Sequence, residues 1–247
     1  MKIIYPAALA VLALGAAVAL SFSPPSEARV VGSGHGASET RNVGDFEAIA
    51  SDGSMDLVVR QAGKEAVEVQ ADDNLLPLIE TVVEPGRNGK TLVIRLRHGE
   101  SVSYHSSIKV TVDVVKLNAI VTSGSGDITV QALKTPSLKL AISGSSDARL
   151  DALDTDAFEL RISGSGDVVA KGNAKQLKLS IAGSGDADLG ALAADDVTVR
   201  IAGSGDASVN ASKALDVSIA GSGDVTYRGN PASLKTSTAG SGSISRR

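Results

Sequence analysis

Cysteine and tryptophan are absent from the 247-residue chain, aromatic residues make up only 2% of it, and histidines number three. Without thiols there is no disulfide framework and no lipid-attachable cysteine, so stability must come from packing and backbone pairing. His35, His98 and His105 lack the paired spacing of a zinc site, and His98 and His105, beside and within the serine-rich segment Ser101 to Ser107, read as surface-loop residues. Beyond the N-terminal segment only Phe46, Tyr104, Phe158 and Tyr227 are aromatic, too few for sugar-stacking platforms, and Phe158 and Tyr227 fall at inward positions. A surplus of one charge is lacking as well. The 24 basic and 28 acidic residues give a net charge of -4, which leaves no basic face for a phosphate backbone and excludes nucleic acid as a partner. What remains is a chain 43% hydrophobic with 26 glycines and seven prolines, too apolar for disorder and sufficient for one large domain.

The N-terminus has its own character. Lys2 supplies a positive start, an apolar run extends from Ile3 to Leu20, and Ser26-Glu27-Ala28 offers a small-x-small cleavage site. Residues 1–28 therefore read as a secretory signal peptide, with an uncleaved N-terminal anchor as the alternative. No second apolar span follows, so the expected mature chain has no transmembrane segment and is exported, to the periplasm, outer envelope or extracellular space. Residues 29–40, which include Gly32-Ser33-Gly34-His35-Gly36, read as a flexible leader, lacking the strand-turn-helix context of a dinucleotide fingerprint.

From Ser123 to the C-terminus a Gly-Ser-Gly-Asp run recurs. Its first glycines are Gly124, Gly144, Gly164, Gly183, Gly203, Gly221 and Gly240, a period of about twenty residues that marks a stacked repeat. Between the runs apolar residues alternate, as in Leu138/Leu140/Ile142, Phe158/Leu160/Ile162 and Val197/Val199/Ile201. A second, shorter alternation follows each aspartate, as in Ile128/Val130. Period two denotes half-buried strand, so each repeat is expected to carry two short strands. No such unit buries its apolar face alone; stacking at about 4.8 Å per coil builds a core. The expected fold is all-β, a single-stranded β-helix or β-solenoid with regular coils over 123–243. The turn glycines, Gly185 among them, are expected to supply positive φ, with serine and aspartate bonding neighbouring turn amides.

The preceding half is less regular but strand-rich. Val67/Val69/Ala71, Leu92/Ile94/Leu96 and Ile108/Val110/Val112 alternate, Asn88-Gly89 signals a hairpin, and Leu75 to Thr81 reads as a short helix capped by Asp73 or Asn74. Ser51 to Asp56, "SDGSMD", reads as a degenerate turn with one extra residue. With no break in composition, 41–247 is taken as one domain.

"RNVGDFEAI" at Arg41 to Ile49, "VQADDNLLPLIET" at Val69 to Thr81 and the serial "SGSGD" turns resemble the bacterial family called the putative auto-transporter adhesin head GIN domain, over roughly Asn42 to Ser243. The resemblance implies an exported β-helical domain, an adhesin-like role and no assigned catalytic residues. No C-terminal membrane barrel accompanies it, so the chain does not resemble a complete autotransporter.

Most candidate chemistry fails on spacing. "GRNGKT" at Gly86 to Thr91 lacks the spacing of a phosphate-binding loop and fits a hairpin turn. No serine occupies a nucleophile elbow. What is left is a column of aspartates at one place in each coil: Asp127, Asp147, Asp167, Asp186, Asp206 and Asp224. Glycoside hydrolysis needs two carboxylates in different environments, and equivalent aspartates provide no such asymmetry. Structural turns are the main reading, with calcium as the alternative because turn oxygens suit a hard cation. No catalytic residue and no cofactor other than that calcium is expected. The sequence thus points to a monomeric, non-enzymatic envelope or surface module that binds a surface ligand, a glycan or an envelope protein. A carbohydrate-active β-helix enzyme and a self-assembling scaffold are the alternatives. Arg246 and Arg247 are expected to guard the open solenoid end against association.

Overall fold

The alternating segments all form strands in the computed structural model, which describes residues 29–247; the expected signal peptide lies outside the described residues. In the first half these are β1 (Val30–Val31), β2 (Gly36–Arg41), β3 (Ala48–Gly53), β4 (Met55–Gln61), β5 (Ala66–Asp72), β6 (Ile79–Gly86), β7 (Gly89–Leu96), β8 (Val102–Ser103), β9 (Ile108–Val114) and β10 (Ala119–Gly124). The coils proper are β11 (Ile128–Gly144), β12 (Ala148–Gly164), β13 (Val168–Gly183), β14 (Ala187–Gly203) and β15 (Ala207–Gly221), followed by β16 (Val225–Arg228), β17 (Ser233–Gly240) and β18 (Ile244–Arg246).

Each of β11 to β15 pairs in parallel with the next, which makes the fold the expected β-solenoid. The expected pair of short strands is instead a single strand of 15 to 17 residues in each of these coils. Ladder pairing continues through the corner after the first inward pair, where Leu133, Leu153 and Leu192 add a further buried column that alternation at the strand ends had not revealed. Thr135 turns inward at the same corner and is satisfied locally, its hydroxyl donating to the Leu117 carbonyl at 2.8 Å. Steps shorter than twenty residues are absorbed there too, by register shifts between Leu150 and Leu153 and between Asp188 and Ala193. The glycine column stays in register throughout, because Gly124, Gly144, Gly164, Gly183, Gly203, Gly221 and Gly240 are successive partners.

The inward columns fill the interior with branched side chains. Leu140, Leu160, Val199 and Val217 are completely buried, and Phe158 is the one large ring among the regular coils. Each such Leu or Val contributes about 1.5–3 kcal/mol relative to an exposed position. The interior is a packed core, not a lumen.

The first half closes one end of this stack. β3 lies under β10 and β4 under β11, so together they form a coil before the regular ones. Beneath them, β7 pairs with β3 and β9 with β4, and both ladders then finish in antiparallel strands, β6 on one side and β5 with β2 on the other. The expected hairpin is β6–β7, with Gly86 opposite Gly89 and Arg87-Asn88 as its loop. At the far end nothing comparable occurs: every residue of β17 is exposed, including Leu234 at 47%.

Two expectations are corrected here. The helix over Leu75 to Thr81 is only a 3₁₀ turn at Leu76–Leu78 without a side-chain cap, and Ile79 already opens β6. Pro77 disfavours helical φ/ψ at Leu76, while Ile79, Thr81 and Val83 pair with Leu96, Ile94 and Leu92, so alternation overrides the local signal. Nor is the segment 29–40 a free leader. β1 pairs with β8 and β2 with β5, while Ser33 N donates to Asn74 Oδ1 and Asn74 Nδ2 donates to the Val31 carbonyl, both at 2.9 Å. Asp73 and Asn74, expected to cap a helix, instead clasp this segment.

Candidate functional site

The turn Ser-Gly-Ser-Gly-Asp crosses from one strand to the next by two different glycine requirements. The first glycine needs positive φ, +138° at Gly183 and +139° at Gly203. The second, as at Gly185, has no positive φ, contrary to expectation; it is held by space, since an added Cβ would lie 2.2 Å from the Gly166 carbonyl oxygen. Ser146 occupies this second place in one coil and is itself buried. Its Cβ must be accommodated by a local shift.

Each aspartate follows directly and lands on the aspartate of the neighbouring coil. The amides of Asp167, Asp186, Asp206 and Asp224 donate to Oδ1 of Asp147, Asp167, Asp186 and Asp206 at 2.9, 2.9, 2.7 and 2.7 Å. Ser243 ends the series, donating both its amide and its hydroxyl to Asp224 Oδ1 at 2.7 and 2.8 Å. The column also begins earlier than the sequence indicated: Asp127 N donates to Asp56 Oδ1 at 3.2 Å. "SDGSMD" carries no extra residue, because Gly53 pairs with Gly124 and Met55 replaces the second glycine, its side chain buried in the core. No such bond joins Asp147 N to Asp127 among the described residues, and this rung is the one that follows Ser146.

These donors come from the adjacent coil and not from the aspartate's own turn. The reason is geometric: parallel ladder amides point along the stacking axis, so the next coil's N–H is the nearest donor. At about 4.8 Å two carboxylates in water repel by about 0.9 kcal/mol, which a charged hydrogen bond of about 1.5–3 kcal/mol offsets. Asp56, Asp147, Asp167, Asp186, Asp206 and Asp224 each accept an amide of the next coil, and this shared environment gives none of them a separate acid or base role, while Asp127 receives no such bond among the described residues. The described residues contain no group of three or more His, Cys, Asp or Glu side chains arranged to hold a metal ion.

Other charged side chains pair across coils. Lys134 reaches Asp154 at 2.8 Å, Lys175 reaches Asp156 at 2.7 Å and Arg200 reaches Asp216 at 3.0 Å. The Arg200 hydrogen bond holds the Asp216 carboxyl below the usual range, and the Ser212 hydroxyl with Lys213 does the same for Asp195. The histidines do not assemble into a site. His105 N donates to Asp72 Oδ2 at 3.2 Å, and Asp72, fully buried with Oδ1 unpartnered, is not marked in the sequence because this donor to its side chain lies 33 residues away.

A concave site lies elsewhere, where the β6–β7 turn overhangs the corners of β11, β12 and β13. This cleft of about 440 Å³ is walled by Asn88 and Gly89 of the turn, Glu47, Asn118, and Ser137, Lys139, Glu159, Gln176 and Lys178 of the coils. Asn118 Oδ1 is buried without a partner, a state that costs about 1–3 kcal/mol. Lys139 sits 3.6 Å from Glu159, which also takes Arg161 at 2.6 Å. Burial pushes the Glu159 carboxyl up, but Arg161 and Lys139 outweigh it and hold the group below the usual range. Apart from Asn88-Gly89, read as a hairpin turn, none of these positions stands out in the sequence, since nothing local marks them until the hairpin folds over them.

The architecture is shared with solved structures from Bacteroides and Parabacteroides. A protein described as a putative adhesin from Bacteroides fragilis is 25% identical, with a TM-score of 0.82, covering 88% of this chain and 100% of its own. A putative lipid binding protein from Parabacteroides distasonis is 25% identical, with a TM-score of 0.71 over 89% of this chain and 100% of its own. A putative adhesin from the same organism is 27% identical, with a TM-score of 0.69 and the same coverage. No match was found among curated proteins. The model of the family described as "Putative auto-transporter adhesin, head GIN domain" matches residues 45–231, and with these residues spanning most of the coils, the chain belongs to that family.

Proposed function

We propose that the protein is an exported, non-enzymatic envelope or surface module whose solenoid displays ligand-binding side chains, with adhesion as the consequence. One observation carries the reading: in the aspartate column, the most conspicuous chemical motif, every member from Asp147 to Asp224 spends its Oδ1 on an amide of the neighbouring coil. That leaves the motif a structural role and leaves function to the outward faces of a stiff scaffold, where side chains sit at fixed spacing. The adhesin descriptions of its relatives support the same class of role. A glycan or an envelope protein is the expected partner. The test is incubation of the purified mature chain with immobilised glycans, envelope proteins and lipid vesicles, reading retention and, for glycans, release of reducing ends. Retention without release supports the module. Release of reducing ends would make it a carbohydrate-active enzyme, and no retention of any class would leave a structural or self-assembling scaffold.

A further inference from the structure

The cleft under the β6–β7 turn has features that a merely folded surface does not need. It is concave, within the range of about 300–1,000 Å³ typical of small-molecule sites. Asn118 is one of its lining residues, and its Oδ1 is a buried acceptor with no donor among the described residues. Asn88, Gln176 and Ser137 line the same cleft and add amide and hydroxyl groups to its wall.

Three properties select the ligand. First, the charges cancel: Lys139 and Lys178 face Glu47 and Glu159, so a ligand with net charge gains nothing overall. Second, Leu138 and Phe158, the large apolar side chains of the floor, are 2% and 1% exposed, so neither is open to an acyl chain or ring. Third, the strands beneath, β11, β12 and β13, are hydrogen-bonded on both sides, leaving no free edge on which a peptide could add a strand. Side-chain amides offer a donor and an acceptor on one plane, which matches neighbouring hydroxyl groups that are each both.

We propose that this cleft is a binding site for a neutral, hydroxyl-rich saccharide, with Asn118, Asn88 and Gln176 as its principal hydrogen-bonding groups. The inference rests on the surface-module reading and gives that module a ligand class and an address. The hairpin turn is part of the site: Gly89 has φ of +94°, and a Cβ there would lie 2.7 Å from Glu47 Oε2, so the turn can sit close over the cleft only with glycine.

The experiment is a titration of the isotope-labelled mature protein with maltose, cellobiose, chitobiose and glucuronate, following the side-chain amide signals of Asn88, Asn118 and Gln176. The expected result is saturable movement of these signals with at least one neutral disaccharide. Binding should weaken about tenfold in Gln176→Ala and again in Asn118→Ala, the loss of about one hydrogen bond each. Gln176 is exposed, so its variant keeps the fold and its melting point serves as control. A saccharide that moves only other signals overturns the cleft assignment while leaving the module reading intact. Preference for glucuronate overturns the neutral ligand. If no saccharide binds but an immobilised protein or vesicle is retained, the saccharide site fails and the module stands; if nothing is retained at all, both fail.

Discussion

Replacing Gly203 by alanine isolates what the turn glycines contribute. Gly203 lies mid-stack, paired with Gly183 below and Gly221 above, at φ of +139°. A Cβ there would sit 2.1 Å from the Gly183 carbonyl oxygen, and that oxygen is pinned because it accepts the Ser204 amide at 2.9 Å. The backbone strain of an L-residue at this φ costs about 1–3 kcal/mol, and forcing the carbonyl away forfeits about 0.5–1.5 kcal/mol more. The sum of about 2–4 kcal/mol corresponds to a fall of roughly 4–16 °C in melting temperature for a domain of this size. Gly205→Ser is the matched control. Its Cβ would approach the Gly185 oxygen to 2.2 Å, yet its φ is not positive and Ser146 already occupies the equivalent place. It should cost less than half as much. Thermal unfolding by circular dichroism, with reversible urea unfolding for the free energies, measures both. Equal destabilisation by the two, or a Gly203→Ala melting point matching the parent, would refute the division of labour between the glycines.

Three further outcomes are expected. Millimolar calcium or excess chelator should leave the melting point unchanged, because Asp186 and Asp206 already accept backbone amides; a rise of several degrees, lost in Asp186→Asn and Asp206→Asn, would show a cation-binding column, since a hundredfold excess over a dissociation constant adds about 2.7 kcal/mol. Because the Asp195 and Asp216 carboxyls are depressed in the folded state, their contribution is present above the unfolded value of about 3.9 and is lost as pH falls through the folded one. Acid scans should therefore show a shallower decline in the doubly substituted Asp195→Asn/Asp216→Asn protein, and identical slopes would refute the assignment. At the open end, where β17 is exposed along its length, deletion of Arg246 and Arg247 should convert a monomer into a concentration-dependent oligomer in ultracentrifugation; oligomers unchanged by the deletion would remove the gatekeeper role.

How legible this protein is depends on the range of the interaction concerned. Strand positions, inward columns and the turn period could be read directly, because alternation and glycine placement act over a few consecutive residues and the repeat states them many times. The failures cluster where a single local signal was outvoted. Leu75 to Thr81 looked helical, but the partners across β7 settled the matter. Ser51 to Asp56 looked like an imperfect turn until register against β10 placed Met55 where a glycine belongs.

The sequence by itself determined that the chain must stack: apolar residues at period two, interrupted every twentieth residue by a turn, have no other way to leave water. Only the tertiary structure decided what the polar residues do. The carboxylate of Asp56 finds its donor 71 residues away, and the rungs from Asp147 onward bridge 18 to 20 residues, because the nearest free amide belongs to the next coil. Likewise, the antiparallel caps of β2, β5 and β6 depend on pairing across the chain. The cleft exists only because a hairpin folded from residues 79–96 overhangs the corners of coils that begin some forty residues later, a proximity set by sheet order and carried by no local pattern.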